Sequence, residues 1–414
     1  MKLAKLSLAA MVVAGLASSS FAADTLADAF KNGKVSGELR AWYFDREGSA
    51  TAAENSASST SVNADIFNVG VILGYVTDSF YGFKLGATVQ SNYAPFADSD
   101  AKADFKGDEY GSGAVLSEAY IQYSIGNTTA KVGRQFISTP LVNGSGSRMI
   151  KQAFEGAVLL NTDLPQTTLA AGVVTKYQAR TTNSLYSKYG VGSSTGGDVA
   201  DFVNLETLAD AYAYTLLAIN KSIPGTTLTA QWAGLDNFAD FYYLEAAYAG
   251  KAGEISYGLA ANYELKSPDA GEDGKMYGAK VDLGYGDLKT YVAYTKITDD
   301  ADVDGFDGGA GFGGGAQTAF AKAYSSKTGT YDKDSKAYSV DANYNFKAIG
   351  LLAGARYTGV KVDSSAVQDR GYTDVYMQYA FSGALKGFST DVSYQDWSKD
   401  VDGHDFWFKA NYKF

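Results

Sequence analysis

The last eleven residues, His404-Asp405-Phe406-Trp407-Phe408-Lys409-Ala410-Asn411-Tyr412-Lys413-Phe414, decide the fold. Phe406, Phe408, Ala410, Tyr412 and Phe414 alternate with Trp407, Lys409, Asn411 and Lys413. Successive residues of a strand face opposite sides, so this segment has one apolar face and one mostly polar face. The pattern recurs upstream. Tyr338, Val340, Ala342, Tyr344 and Phe346 alternate with Ser339, Asp341, Asn343 and Asn345, and Ile255, Tyr257, Leu259, Ala261 and Tyr263 alternate with Glu254, Ser256, Asn262 and Glu264. A soluble β-sandwich also alternates, but its strands run to ~5–6 residues. These runs are closer to the ~9–11 residues of a tilted membrane strand.

The alternation continues through nearly the whole chain from residue 34 and places about eighteen strands, an even number of the kind bacterial barrels use. Tight links at Gly126-Asn127, Ile223-Pro224-Gly225, Ala249-Gly250-Lys251 and Gly286 alternate with long links at 45–62, 94–113, 178–211 and 298–335. The reading is an all-β fold: a transmembrane antiparallel β-barrel with short periplasmic turns and long external loops. Residues 45–62, 181–200 and the Gly-rich 305–316 read as mobile external loops. Aromatic residues fall beside both kinds of link, as two interfacial girdles require, and the 31 Tyr suit a membrane–water boundary. A mean hydropathy of −0.16 fits a chain with a lipid-facing exterior and a wet interior.

Residues 1–22 read as a secretory signal peptide: Lys2 and Lys5, an apolar run from Leu6 to Ala17, and a cleavage site at Ser20-Phe21-Ala22. Residues 23–33 then form a short periplasmic segment before the barrel, 34–414. There is no cysteine, so the exported chain is not a disulfide scaffold, and the lone His404 argues against a histidine-based catalytic site. No nucleophile–base constellation points to an enzyme. The formal charge of −11 becomes −13 once Lys2 and Lys5 are removed, which argues against nucleic acid as a partner.

The most specific stretch runs from Val132 to Leu159, VGRQFISTPLVNGSGSRMIKQAFEGAVL. A strand ends in Gly133-Arg134-Gln135, and a loop runs through Pro140 and Ser147-Arg148 to Phe154-Glu155-Gly156. This resembles the OprD-type outer membrane porin family, as do the opening Val35-Ser36-Gly37-Glu38-Leu39-Arg40 and the terminal Phe414. The resemblance covers the mature length. It implies an 18-stranded barrel in the bacterial outer membrane, a third loop (138–151) folded inward to narrow the pore, and passive diffusion of small hydrophilic solutes and ions, with amino acids or other small carboxylates among them. The family often lines one wall with Arg; here the inward positions mix Lys, few Arg and many acids.

Alternation assigns to the pore wall Arg40, Lys84, Lys131, Lys280, Asp282, Asp341, Arg356, Asp374, Asp391 and Lys409. Glu118, Arg148, Lys151 and Glu155 flank the candidate constriction. Phe414 closes an aromatic signature that outer-membrane assembly machinery is expected to read. Asp300, Asp302 and Asp304 before Gly305 have the spacing that opens a calcium loop, but Gly311 stands where a bidentate Glu belongs, so an acidic external loop explains them too. A homotrimer and a monomer both remain open. The rival reading is a barrel serving mainly as adhesin or structural anchor. Charged inward positions favour a water-filled lumen instead.

Overall fold

A computed structural model describes residues 23–48, 62–209, 212–324, 331–363 and 369–414. The expected signal peptide and most of 45–62 lie outside the described residues. Eighteen barrel strands run antiparallel in chain order. They are β1 (Lys34–Gly48), β2 (Val62–Val76), β3 (Phe83–Asn92), β4 (Gly111–Ile125), β5 (Thr128–Gln135), β6 (Ala153–Asn161), β7 (Thr167–Gln178), β8 (Ala213–Asn220) and β9 (Thr226–Leu235). The second half comprises β10 (Ala239–Ala252), β11 (Ile255–Pro268), β12 (Gly274–Tyr285), β13 (Leu288–Ile297), β14 (Ser335–Phe346), β15 (Leu351–Val362), β16 (Arg370–Ala380), β17 (Phe388–Lys399) and β18 (Gly403–Lys413). Two further short strands, Gly197–Asp198 and Phe202–Asn204, lie in the long connection after β7.

Each strand pairs with its sequence neighbours, and β1 pairs with β18 from Glu38↔Lys413 to Gly48↔Gly403, so no edge is left open. Closure satisfies every ladder internally, which is what lets a sheet stand in lipid. Phe414 completes the seam. Its carbonyl accepts from Gly37 N–H at 2.9 Å and its N–H donates to the Gly37 carbonyl at 3.1 Å. Its ring lies where a side chain on residue 37 would be, so Gly37 is needed for the close approach.

The alternation turns inside out relative to a soluble protein. Leu283, Val292, Val340 and Val375 are 46–54 % exposed on the outer wall, where they meet lipid rather than water. Inward neighbours such as Gln90, Ser339, Asp341, Asp374 and Gln395 are at most 1 % exposed. The hairpins at one end are tight, with Gly126 and Gly286 at φ 55° and 57°. The other end carries the long segments 93–110, 136–152, 179–212 and 298–334, but also short links at 236–238, 269–273 and 400–402, so the alternation of link length is incomplete. A short helix, Leu26–Lys31, capped by Thr25, hangs from the β2–β3 turn through Asp78 N–H to Ala29 carbonyl at 2.9 Å.

The expectation for 305–316 is overturned. This Gly-rich segment does not stand outside. Val303, Phe306, Ala310, Phe312, Ala316, Ala319, Ala321 and Ala323 are all at most 5 % exposed. The chain packs against the inner wall, with Asn262 donating to the Thr318 carbonyl at 2.8 Å, Ala321 N–H to Thr295 at 3.1 Å and Arg356 to the Ala323 carbonyl at 3.2 Å. Glycine makes this possible. Gly311, at φ 143°, sits so close to Leu141 that a Cβ would lie 2.4 Å from its carbonyl oxygen.

Candidate channel and its inward loops

The strand order fixes which side chains can reach the lumen. Arg40, Lys84, Lys131, Lys280, Asp282, Asp341, Arg356, Asp374, Asp391 and Lys409 all lie on the inward side of their strands, in register with buried inward neighbours. They are not one ladder but several small groups. Lys280 pairs with Asp282 at 2.7 Å. Arg356 pairs with Asp341 at 3.0 Å, and Tyr376 donates to the same carboxylate. Asp374 accepts from Gln395 at 2.7 Å and from Tyr324 N–H at 3.1 Å. Tyr324 reaches Asp391 at 3.2 Å and stacks on Tyr376 with centroids 4.0 Å apart. These contacts clamp the end of the 303–324 segment onto β14–β17.

The segment 136–152 is held by the adjoining sector of the wall. Arg40 Nη1 donates to the Arg148 and Met149 carbonyls at 3.2 and 2.9 Å, and Lys409 Nζ to the Ser147 carbonyl at 3.3 Å. Gln90 bonds both backbone groups of Lys151. Further along the loop, Leu141 N–H donates to Gln231 of β9 at 2.9 Å. Residues 141–151 therefore touch β1, β3 and β18 on one side and β9 on another, so the segment spans the interior. It also meets the other inward segment: Val142 bridges Phe312, and Asn143 donates to the Gly315 carbonyl at 2.6 Å. Leu141, Val142, Met149 and Ile150 are at most 1 % exposed. The two segments thus share an apolar contact with polar tethers to the wall.

Glu118 anchors the start of this loop. It accepts from Thr88 at 2.7 Å and from Phe136 N–H at 3.3 Å, and Lys131 stands 3.6 Å away. Lys151 lies in the loop beside the Phe136 ring at 4.3 Å. Burial pushes its ammonium below the ordinary lysine range; Glu118 opposes this and Arg40 adds to it. Lys409 sits between the Trp42 and Trp407 rings at 4.5 and 4.1 Å, where Arg148 and Arg40 repel it and Glu109 and Asp391 attract it from beyond ion-pair distance. Among the described residues, neither Lys151 nor Lys409 has a carboxylate within ion-pair distance, whereas Arg40 is paired with Glu38 at 2.8 Å.

Two expected constriction residues are placed elsewhere. Arg148 turns back toward 93–110, with Nε 2.9 Å from Asp108 and 3.3 Å from Glu109. Its guanidinium also lies 4.9 Å from the Trp407 ring. Glu109 is 1 % exposed, and the 3.3 Å approach is not a hydrogen bond, so both its oxygens lack hydrogen-bond partners among the described residues. Burial pushes its carboxyl up to about 7; Asp108 adds to this, while Arg148, Lys409 and Arg180 oppose it. Asp108 is half-buried; desolvation raises its carboxyl, yet Arg148, Arg180 and Arg46 together hold it below the ordinary range. Glu155 is a correction. It shares the outward side of β6 with Leu159, which is 49 % exposed, and faces away from the lumen. There it pairs with Arg134 at 3.1 Å and Lys176 at 2.6 Å. Lys176 therefore lies outside too. Phe202 covers the group, 4.4 Å from the Arg134 guanidinium.

The three aspartates of the candidate calcium loop are not brought to one centre. Asp304 pairs with Lys266 at 2.9 Å, Asp300 with Lys275 at 3.5 Å, and Asp302 accepts from Lys333 N–H at 2.6 Å. Among the described residues no group of three or more acids and histidines could hold a metal ion. What the sequence reading missed is the set of neutral amides that tie the loops down: Gln90, Gln152, Gln178, Gln231 and Asn262. The alternation of Ala319, Ala321 and Ala323 was the available signal for an extended segment lying flat on a wall.

The family described as outer membrane porin, OprD family, matches residues 28–404. No curated protein sequence matches the chain. Among solved structures, Pseudomonas aeruginosa OpdK with vanillate aligns at a TM-score of 0.74 and 14 % identity, covering 93 % of this chain and 99 % of that one. Acinetobacter baumannii OccAB2 aligns at 0.75 and 17 %, covering 94 % and 99 %. Pseudomonas aeruginosa OpdO aligns at 0.71 and 17 %, covering 94 % and 98 %. At these identities the likeness is one of fold.

Proposed function

From the premise that this chain belongs to the OprD family of outer membrane porins, we propose that its channel favours small hydrophilic solutes bearing a carboxylate, amino acids among them. The chain is an outer-membrane porin, and its barrel and family point to a channel rather than an enzyme. The solute preference is our reading. The observation that carries it is the pair Lys151 and Lys409, flanking Arg40, as inward cations with no carboxylate within ion-pair distance among the described residues; Glu118 acts on Lys151, and Glu109 and Asp391 on Lys409, only from farther off. In a confined, poorly screened space an unbalanced charge acts more strongly than in bulk water. A carboxylate entering the lumen beside the loop meets these ammonium groups on the β1, β3 and β18 side. The vanillate bound to OpdK, itself a carboxylate, is in line with this.

Liposome swelling tests it with pairs of matched size, each acid against its own amide. The acid should enter faster through the natural protein, and Lys151→Gln with Lys409→Gln should remove that advantage. Equal rates for acid and amide through the natural protein would refute the preference.

A further inference from the structure

The outer wall carries charge in one sector that neither the pore nor the fold requires. Lys296, Lys336 and Lys361 stand on β13, β14 and β15, all pointing away from the lumen. They are direct cross-strand partners, Lys296↔Lys336 and Lys336↔Lys361. Like charges directly opposite on one face of a sheet repel. Lys336 and Lys361 share a single carboxylate, Asp363, at 2.5 and 3.3 Å. Asp334 acts on Lys336 from farther off. Lys296 is exposed and forms no ion pair among the described residues. A fourth cation joins from β17, with Lys399 Nζ 6.0 Å from the Tyr338 ring.

The height of this row identifies its surroundings. Two residues nearer the membrane, Tyr294 and Tyr338 pair directly across the same strands, each 44 % exposed, and Tyr277 lies opposite Lys296 on β12. Below them come Val292 and Val340, 54 % and 46 % exposed. Lipid-facing valines, then tyrosines, then lysines are the order expected on crossing from acyl chains through the interface into the headgroups. The row lies at the end of the barrel that carries the long segments, which is the outer leaflet in this family's orientation. Elsewhere at that end the outward positions are acidic or balanced: Asp45 faces Asp65, Asp396 faces His404, Arg134 and Lys176 share Glu155, and Lys275 pairs with Asp300. The basic row is therefore a local feature and not a general fringe.

We infer that Lys296, Lys336 and Lys361 form a binding site for the phosphorylated sugar headgroup of an outer-leaflet glycolipid. Its acyl chains lie along the Val292–Val340 surface and its phosphates neutralise the lysine row. The tyrosine row Tyr277, Tyr294 and Tyr338 sets the depth at which the headgroup rests. The inference uses the membrane orientation of the porin but not its solute preference.

Native mass spectrometry of the intact protein in detergent, titrated with bisphosphoryl lipid A, dephosphorylated lipid A or inorganic phosphate, tests it. The natural protein should bind the bisphosphoryl form about tenfold or more tightly than the dephosphorylated form. The triple variant Lys296→Gln, Lys336→Gln, Lys361→Gln should lose that difference. A control triple at exposed positions of the opposite end, Lys34→Gln, Lys251→Gln and Lys386→Gln, should keep it. Heat-modifiable mobility and unchanged single-channel conductance establish that both variants are folded. Equal binding by the lysine-row variant and the natural protein would overturn the inference. So would a loss reproduced by the control triple, or inorganic phosphate binding as tightly as lipid A.

Discussion

The Gln90 side chain closes a two-bond bridge with the backbone of Lys151, accepting from its N–H at 2.9 Å and donating to its carbonyl at 2.8 Å. An inward strand residue thus treats the returning limb of the loop as if it were another strand. The same amide donates to Ser117 at 2.7 Å, and Ser117 donates to Gln178, so β3, β4 and β7 are tied together at the point where the loop meets the wall. Gln90 is fully buried, so water cannot replace these bonds.

Gln90→Leu keeps the volume and removes every partner. It leaves two backbone groups of the loop unsatisfied, a loss of about 1–3 kcal/mol for each buried group left without a partner. The barrel should still form, because its ladders are untouched. The loop should move between positions, seen as increased open-channel current noise in planar bilayers. A quiet channel with natural conductance would show that Gln90 is not the tether.

Glu109 gives the channel a pH dependence. Its carboxyl, raised by burial to about 7, binds a proton in the folded protein between the ordinary glutamate range and pH 7, where the unfolded chain does not. Its contribution to stability is therefore complete below the unfolded value and is lost as pH rises through about 7. Asp108 runs the other way, stabilising above its unfolded value and losing this as pH falls through its lowered folded value. Between pH 8 and 6 only Glu109 of the two changes charge. Protonation removes one negative charge beside Arg148, so reversal potentials should shift toward anions as pH falls across this window. Glu109→Gln should hold the low-pH selectivity at both values. A variant that shifts as much as the natural protein would assign the pH response to another group.

The membrane face can be checked by charge. Val292 lies on the outward side of β13 between Tyr294 and Thr290, opposite Val281 and Val340. Val292→Arg should cost ~2–4 kcal/mol in folding stability, while Lys280→Arg on the inward side of β12 should cost little. Equal destabilisation in denaturant titration would contradict the orientation.

Phe414 and Gly37 form the last rung of the closing seam. Deleting Phe414 should lower the heat-modifiable form in cells while refolding in detergent survives, the outcome expected if assembly machinery reads the terminal aromatic residue. Gly37→Val should impair both, since it obstructs the ring itself. Undiminished membrane levels of the deletion would mean that the residue is not read.

The barrel was legible because period-two alternation is set by the backbone alone. Residues such as Tyr344 and Asn343 report their side of the wall wherever the strand is regular. The inward position of ten wall charges followed from the same rule. It could not show which charges neutralise one another, because Arg356 with Asp341 depends on cross-strand register. Nor could it place Glu155, which needs the parity of β6 followed to its end, where an outward charge is sustained by Arg134, Lys176 and the covering Phe202. The 303–324 segment was misread for a physical reason. Glycine-rich, small-residue sequence suits a solvated loop, but it equally suits a chain that must lie so close to another backbone that no Cβ fits, as Gly311 does against Leu141.

The central claim is that the loop 138–151, joined to the second inward segment at Val142–Phe312, sets both the width and the charge preference of the pore. Arg148 is committed to Asp108 and Glu109, so replacing it would test packing before permeation. Removing Leu141 to Ser147 severs the contacts with Gln231, Phe312 and Gly315 while leaving Gln90 and Lys151 in place. Single-channel recording of that deletion, with reversal potentials in a salt gradient, is the most direct measurement. Conductance should rise and ion selectivity should weaken, because the span across the interior is gone. Unchanged conductance and selectivity would contradict the claim and place the narrowing elsewhere in the barrel.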